Sequence, residues 1–414
     1  MIAAVSDQFD RPSKHLPSPS LEYWYYAQVF YSIMGSAFGL SIDLLGVAML
    51  AALVGLCVIR MGRYSAAMLR PVALPLACGM SFIAVQTLVH GESLRSGDYV
   101  RSFVPWMMGL VIVQYLSLRR GFLHRAAIAV LLIGLTTLPY MKSFHNDQSR
   151  TSLEGIIAIA NPNDLGAWFG FCVVYFAVLG METRRNWIRV ISCLVAVGSL
   201  VVVSLTVSRA PLIAAALSVV IAFRRVLKRG FFPLLSLIVL TWIAFGLGWF
   251  DRGAELYAQR GLEETGRFLV WPAAFDRFLQ SPLVGVGADN VNTSIAGGRP
   301  ITPHNSFIFL AVASGVVPLM FFIAYWVRLL IEVLEVNADS HEDAPFLIPL
   351  LPYCFLIAFN LNMVFTVQWM MATLAAVSGA EVIRRARRAA VERVDGRHRS
   401  GNRGLHGLPA RGRA

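Results

Sequence analysis

Charged residues are scarce in this sequence. They make up 14% of its 414 residues, whereas hydrophobic residues make up 57%. A soluble domain of this length carries more charge and fewer apolar residues, so the composition excludes one compact soluble core and indicates many membrane spans. We therefore expect an integral membrane protein.

Cysteine is also rare, and its placement excludes two kinds of site. The five cysteines lie far apart in apolar segments, at Cys57, Cys78, Cys172, Cys193 and Cys354. Neither a disulfide framework nor a zinc site has such spacing. We expect all five to be packing residues.

The N-terminal stretch lacks the features of a cleavable signal. Residues 1–20 are polar and contain prolines, and no apolar run precedes a small-residue cleavage site there. Residues 1–23 are therefore expected to form a short tail before the first span.

Apolar segments recur along the rest of the chain, at lengths suited to crossing a hydrocarbon layer of ~30 Å. We predict about twelve spans: Trp24 to Leu40, Ile42 to Ile59, Val72 to Val89, Phe103 to Leu118, Ala126 to Met141, Leu165 to Met181, Ile188 to Val207, Ala210 to Phe223, Phe231 to Phe250, Ser306 to Val327, Pro345 to Phe359 and Leu361 to Val382. Each must be helical, because an open chain in lipid has to pair its backbone polar groups internally. The predicted fold class is an all-α, polytopic membrane protein.

Arginine and lysine give the orientation, because short cytoplasmic loops carry most of them. With the N-terminus inside, the inner loops hold Arg60, Arg63, Arg70, Arg119, Arg120, Arg125, Arg184, Arg185, Arg189, Arg224, Arg225, Lys228 and Arg229. The basic segment 383–414 then also lies inside. The net charge of +12 thus reflects topology and gives no footprint of a nucleic-acid binder.

The predicted domains follow from this orientation. Residues 1–23 are a cytoplasmic tail, 24–250 hold helices one to nine, 251–305 form a large outer loop, and 306–382 hold helices ten to twelve. A basic cytoplasmic tail of residues 383–414 completes the chain. The outer loop is the one sizeable polar segment on its side, so chemistry is expected there.

Three local patterns stand out on the outer side. Phe268, Trp271, Phe275 and Phe278 recur at steps near three and four, which predicts a helix lying on the membrane surface. The Gly-Val-Gly that follows has no Walker lysine and is interpreted as a turn. Before the sixth span, Asn163 or Asp164 is expected to cap the helix.

Three stretches of the chain resemble the signature segments of one family. They are "SRAP" at the outer end of a helix, "GRFLVWPAAFDRFLQSPLVGVG" in the outer loop and "PHNSFIFLAVASGVVPLMFF" entering the next span. Their order and topology are similar to those of the O-antigen ligase and O-antigen polymerase family. The resemblance implies a GT-C-type glycosyltransferase with one large periplasmic loop, in the bacterial inner membrane, using a glycan on undecaprenyl pyrophosphate as donor.

Arginines are predicted to hold the leaving group. A pyrophosphate must be stabilised by metal ions or by Arg and Lys, and no Asp-x-Asp motif for a metal occurs in the sequence. By resemblance, Arg209 and Arg267 match the pyrophosphate-contacting positions of the family. We expect no metal and no cofactor, and we regard Arg252, Arg260, Arg277 and Arg299 as further outward arginines.

The pair His304 and Asn305 lies directly before an apolar span. A neutral imidazole, with an ordinary pKa of ~6.5, is suited to take the proton of an acceptor hydroxyl near neutral pH. His304 is the predicted catalytic base. Asn305 is expected to cap the following helix or to hold the imidazole, and is the second predicted catalytic residue.

The acceptor stays open at this point. A glycan or a lipid A-core acceptor would suit a polymerase or a ligase respectively, and a protein O-oligosaccharyltransferase uses the same donor chemistry. The resemblance also suggests a polysaccharide flippase and a chain-length regulator as partners. A lipid-linked sugar transporter is the alternative of another class, but it needs polar sites at mid-membrane, where these spans are nearly free of charge.

Overall fold

A computed structural model of the protein describes residues 16–39, 42–62, 65–92, 98–144, 150–156, 159, 161–226, 232–260, 267–294, 300–338, 343–361 and 367–385. Most of the tail 1–23, Arg299 and most of the basic segment 383–414 therefore lie outside the described residues. So does the side chain of Arg267.

The described chain is built mainly of helices. They are α1 (Pro19–Met34), α2 (Ile42–Met61), α3 (Ser65–Leu69), α4 (Ala73–Leu88), α5 (Asp98–Leu116), α6 (Phe122–Thr137), α7 (Pro162–Glu182), α8 (Asn186–Leu205), α9 (Arg209–Val226), α10 (Phe232–Gly246), α11 (Asp251–Arg260), α12 (Arg267–Gln280), α13 (Ser306–Ser314), α14 (Val316–Ala338), α15 (Ala344–Ala358) and α16 (residues 368–385). Two antiparallel hairpins join β1 (Met141–Phe144) to β2 (Arg150–Leu153) and β3 (Thr293–Ser294) to β4 (Pro300–Ile301).

Several helices are suited to crossing a membrane. Within the described residues, five are long and apolar enough by length and composition: Ser65–Leu88, Phe122–Tyr140, Pro162–Glu182, Asn186–Leu205 and Val316–Val336. A sixth span is possible by the same criterion if the pair Leu235–Gly246 and Asp251–Ala258, bent by 74°, is one unit. These findings support a mostly helical, multi-pass membrane protein. They do not confirm the predicted number of about twelve spans, because several apolar helices are short.

The predicted boundary of the N-terminal tail needs correction. The tail predicted for residues 1–23 ends earlier, because α1 already begins at Pro19. Glu22 in its first turn is buried, and its carboxylate accepts hydrogen bonds from Arg119 at 2.6 Å and Arg125 at 2.7 Å. A buried carboxylate needs such partners, so this part of the chain is tied to the helix bundle.

The predicted span Ser306 to Val327 is two helices, α13 and α14. The break falls at Gly315, whose φ of +79° is accessible to glycine at little cost. A Cβ at this position would collide with the backbone of Leu283 and Val284 in the preceding loop. The glycine therefore allows that loop to lie against the break, which the apolar pattern alone does not reveal.

Helix α7 lies at the centre of the bundle and packs against α8, α9 and α15. Gly166 and Gly170 allow neighbouring elements to approach it closely. The hydroxyl of Tyr353 on α15 donates to the carbonyl of Ala167 at 2.7 Å, and the indole of Trp168 donates to the carbonyl of Val130 on α6 at 3.0 Å. Helix α7 thus fixes the relative positions of α6, α9 and α15, and α9 carries one of the predicted site residues, Arg209.

The cysteines are all free and buried. This confirms their interpretation as packing residues.

Candidate functional site

The His304 segment begins helix α13. His304 has a φ of +45°, a left-handed conformation that is unusual for a residue other than glycine. The next residue, Asn305, returns to an extended conformation and is the N-cap of α13. Its Oδ1 accepts hydrogen bonds from the backbone N–H groups of Phe307 at 2.9 Å and Ile308 at 3.2 Å. The predicted capping role of Asn305 is confirmed.

Both sides of His304 are anchored to other elements. On one side, the indole N–H of Trp271 in α12 donates to the carbonyl of Pro303 at 2.8 Å. On the other side, the hydroxyl of Ser306 donates to the carbonyl of Leu361, beyond the end of α15, at 2.9 Å and in a buried environment. Left-handed residues persist where the surroundings over-determine the backbone, and these contacts provide that restraint.

Helix α12 confirms the predicted helix in the outer loop and has two different faces. Val270 and Ala274 are fully buried, and the helix packs against α13. Phe275 and Leu279 are each 57% exposed, so part of the predicted aromatic stripe faces away from the protein. Arg267 is the first residue of this helix, one turn before Trp271. The helix that carries Arg267 therefore also contacts the residue before His304.

The loop after α12 is a turn, as interpreted from the sequence, and it docks on the end of α13. The N–H groups of Val286 and Gly287 donate to the carbonyls of Val312 at 2.8 Å and Ala313 at 3.2 Å. Gly285 has a φ of +67°, and a Cβ there would lie 2.5 Å from the backbone of Ala313. A glycine is needed here both for the backbone angle and for the close approach.

Gln86 joins a third element to this contact. Its amide nitrogen donates to the carbonyl of Ala313 at 2.9 Å and to the hydroxyl of Ser314 at 2.8 Å, while its Oε1 accepts the N–H of Ala288 at 2.9 Å. The side chain is completely buried on α4. Gln86 was not among the predicted site residues, although a glutamine within an apolar segment is a signal for such a role because a buried amide needs partners.

Arg209 lies on a separate element. It is the half-buried first residue of α9 and follows Val207, which has a φ of +51°, and the buried Ser208. The hydroxyl of Ser208 donates to Oδ1 of Asn163 at 2.7 Å. This bond fixes the turn before Arg209 against the start of α7.

The predicted position of the α7 cap, at Asn163 or Asp164, was wrong. Asn161 is the N-cap, and its side chain accepts from the N–H of Asn163 at 2.9 Å. Pro162 explains the shift, because proline is favoured at the first helical position and therefore places the cap one residue before it.

The predicted site residues are brought together in part. His304 and Asn305 are adjacent, and α12, which begins at Arg267, contacts the residue before them through the bond between Trp271 and Pro303. Arg209 is linked more indirectly: α9 packs against α15, and the chain just after α15 accepts the bond from Ser306. The described contacts thus connect all three segments without placing Arg209 against His304.

Two other arginines that the sequence predicts to face outward have structural partners. Arg277 donates to the backbone carbonyls of Asn290 and Asn292, which holds the end of the loop. Arg252 pairs with Glu255 at 2.7 Å on an exposed face of α11. These two arginines are therefore committed to local contacts, while the side chain of Arg260 lies outside the described residues.

An acidic group lies near the docked loop. Burial raises the pKa of Glu92, and the carboxylate of Asp289 raises it further, while backbone N–H groups of Asp289 and Ala288 and the charge of His90 act in the opposite direction. Nε2 of His90 lies 2.9 Å from the carbonyl oxygen of Val284. Within the described residues, no group of three or more His, Cys, Asp or Glu is arranged to hold a metal ion.

The apolar helices define the class, a polytopic membrane protein, and comparison with known proteins agrees with it. Residues 194–323 match the model of the family described as O-Antigen ligase. The match includes Arg209, Arg267, His304 and Asn305. It confirms the resemblance to the O-antigen ligase and polymerase family over this part of the chain and supports ligase- or polymerase-type activity in general. No curated protein matches the chain.

Proposed function

We propose that the protein is a glycosyltransferase of the GT-C type at the periplasmic face of the bacterial inner membrane. It transfers a glycan from undecaprenyl pyrophosphate to an acceptor sugar, and so polymerises or ligates O-antigen or exopolysaccharide. No metal or cofactor takes part.

On the donor side, Arg209 and Arg267 bind the pyrophosphate. Each is the first residue of a helix, α9 and α12 respectively. A helix N-terminus presents unpaired N–H groups and a partial positive charge, so an anion there is stabilised by the backbone as well as by the guanidinium. These groups stabilise the charge that develops on the pyrophosphate as the bond from the anomeric carbon to the phosphate oxygen breaks.

On the acceptor side, His304 is the general base. Its neutral imidazole takes the proton of the acceptor hydroxyl while the hydroxyl oxygen forms a bond to the anomeric carbon. The pyrophosphate leaves with the electron pair of the broken bond. Asn305 contributes by position, because its Oδ1 already caps α13 and so fixes the residue that follows His304.

The observation that carries the proposal is the left-handed His304 between the Trp271 and Ser306 anchors. Backbone strain of about 1 to 3 kcal/mol per residue is retained mainly where function needs a defined geometry. Here it falls on a residue with a titratable side chain, in a segment connected to a helix that begins with an arginine.

The test uses the purified protein with undecaprenyl pyrophosphate oligosaccharide extracted from the producing cells. A ladder of longer glycans formed from this lipid alone identifies a polymerase. A single transfer that requires an added lipid A-core or sugar acceptor identifies a ligase. Absence of any transfer under both conditions, with the lipid shown to bind, overturns the proposed reaction.

A further inference from the structure

We propose that Trp271 is a positioning residue for His304, which it holds in its left-handed conformation through the carbonyl of Pro303. The proposal rests on the proposed role of His304 as the base. Trp271 does not itself touch the reacting atoms in this mechanism.

The peptide unit between Pro303 and His304 transmits the restraint from Trp271 to His304. This unit is planar, so the direction of the Pro303 carbonyl also fixes the direction of the His304 N–H. The indole N–H of Trp271 donates to this carbonyl at 2.8 Å. The bond therefore limits rotation about the N–Cα bond of His304, which is the φ angle that takes the unusual value of +45°.

The anchors after His304 cannot replace this restraint. Asn305 and Ser306 hold the start of α13 through the cap and through the bond to Leu361. These contacts fix the peptide that leaves His304, whereas Trp271 fixes the peptide that enters it. A residue in a strained region needs both, because otherwise it relaxes towards an ordinary conformation and redirects its side chain.

The position of Trp271 on α12 links the two halves of the reaction. Arg267 begins this helix, and its buried face of Val270 and Ala274 packs against α13. The same helix thus carries a predicted pyrophosphate ligand and restrains the predicted base. A shift of about 1 Å at a catalytic group can cost on the order of 100-fold in rate, so this restraint is expected to affect the chemical step.

The first test is W271F, which keeps an aromatic ring and removes the N–H donor. We expect kcat for glycan transfer to fall by about 10- to 100-fold, with the KM for the lipid donor and the Kd for undecaprenyl pyrophosphate unchanged. W271H retains a ring N–H and is expected to recover part of the rate. W249F is the matched control, because Trp249 is 48% exposed and lies outside the site segments. A wild-type kcat in W271F overturns the proposal.

The second test asks whether Trp271 acts through His304. In the H304Q background, adding W271F is expected to cause little further loss, because residues that act as one unit are not additive. If the fold-loss in kcat of W271F/H304Q equals the product of the two single-variant losses, Trp271 acts independently of His304 and the proposal is overturned. Failure of the proposed base role is distinguishable, since it appears as near-normal activity in H304Q alone, and failure of the proposed reaction appears as no glycan transfer by the wild-type protein. A loss of undecaprenyl pyrophosphate binding in W271F, not recovered in W271H, also counts against a role in positioning His304.

Discussion

His304 and Val207 share a property at the residue scale. Each has a positive φ, +45° and +51° respectively, and no other non-glycine residue in the described part of the chain does. One is the predicted base, and the other lies two residues before Arg209. Such strain needs support from the surrounding structure, and the contacts of Trp271 with Pro303 and of Ser208 with Asn163 provide it.

Replacement of His304 tests its role as base. H304A is expected to abolish transfer, with a loss of ~10² to 10⁴ in rate from general-base assistance alone. H304Q is the sharper variant, because glutamine can orient a hydroxyl by hydrogen bonding but cannot take its proton. Steady-state transfer rates on protein purified at equal levels measure both. Near-normal turnover in H304Q means that His304 positions the acceptor and another group removes the proton.

The pH dependence of the wild-type protein gives an independent check on the same residue. A base must be neutral, so turnover is expected to fall on the acid side as the imidazole is protonated. A flat profile from about pH 5 to 8, with chemistry shown to limit the rate, counts against His304.

At the scale of secondary-structure elements, two helix starts carry the predicted donor site. Arg209 begins α9 and Arg267 begins α12. The helix α12 also has a buried face and packs against α13, and its Trp271 bonds to the residue before His304. The helices α9 and α12 thus position the two arginines, and the arginines provide positive charge for the pyrophosphate.

Substitution of these arginines tests the pyrophosphate clamp. R209A and R267A are expected to reduce transfer strongly and to weaken binding of undecaprenyl pyrophosphate. R209K and R267K are expected to rescue only in part, because lysine lacks the bidentate guanidinium fork. R252A is the matched control, since Arg252 is exposed and pairs with Glu255. Full activity in R267A at normal protein level would show that other residues bind the pyrophosphate leaving group.

The docked loop gives a second prediction at this scale. G285A places a Cβ 2.5 Å from the backbone of Ala313 at a φ of +67°. The loop is expected to move away from α13, with lower thermal stability and lower transfer activity. G198A is the control, because a Cβ on Gly198 meets nothing within 4 Å and alanine favours the helix. A G285A protein as stable as the wild type contradicts the tight docking.

At the scale of the whole molecule, the site segments lie at one end of the helix bundle. Gln86 near the end of α4 contacts the loop after α12 and the C-terminal end of α13, and the N-terminal end of α13 contacts Leu361 after α15. The arginine-rich loops predict that this end faces the periplasm. The donor lipid and a water-soluble acceptor would then meet at the membrane surface.

Reporter fusions test this orientation. A reporter fused after Ala288 is expected to be active only outside the cytoplasm, whereas one fused after Arg225 or Arg388 is expected to be active only inside, because positively charged loops remain cytoplasmic. Alkaline phosphatase and green fluorescent protein fusions provide the two signals. Reversed signals at Ala288 would remove the site from the compartment that the proposed reaction needs.

The sequence by itself determined the class of protein and most of its helices. Apolar segments predicted α4, α7 and α8 to within a few residues of their observed bounds, because backbone pairing within a helix is local. It also placed Asn305 before α13, since a cap acts on the next two or three residues. The family resemblance rested on the same kind of local signal.

Only the tertiary structure decided how these parts fit together. The bond from Trp271 to Pro303 joins residues 32 positions apart, and the bonds of Gln86 to Ala288 and Ala313 join residues 202 and 227 positions apart. The break at Gly315 follows from the loop that approaches it. Such contacts depend on which elements meet in space, and hydropathy along the chain contains no information about that.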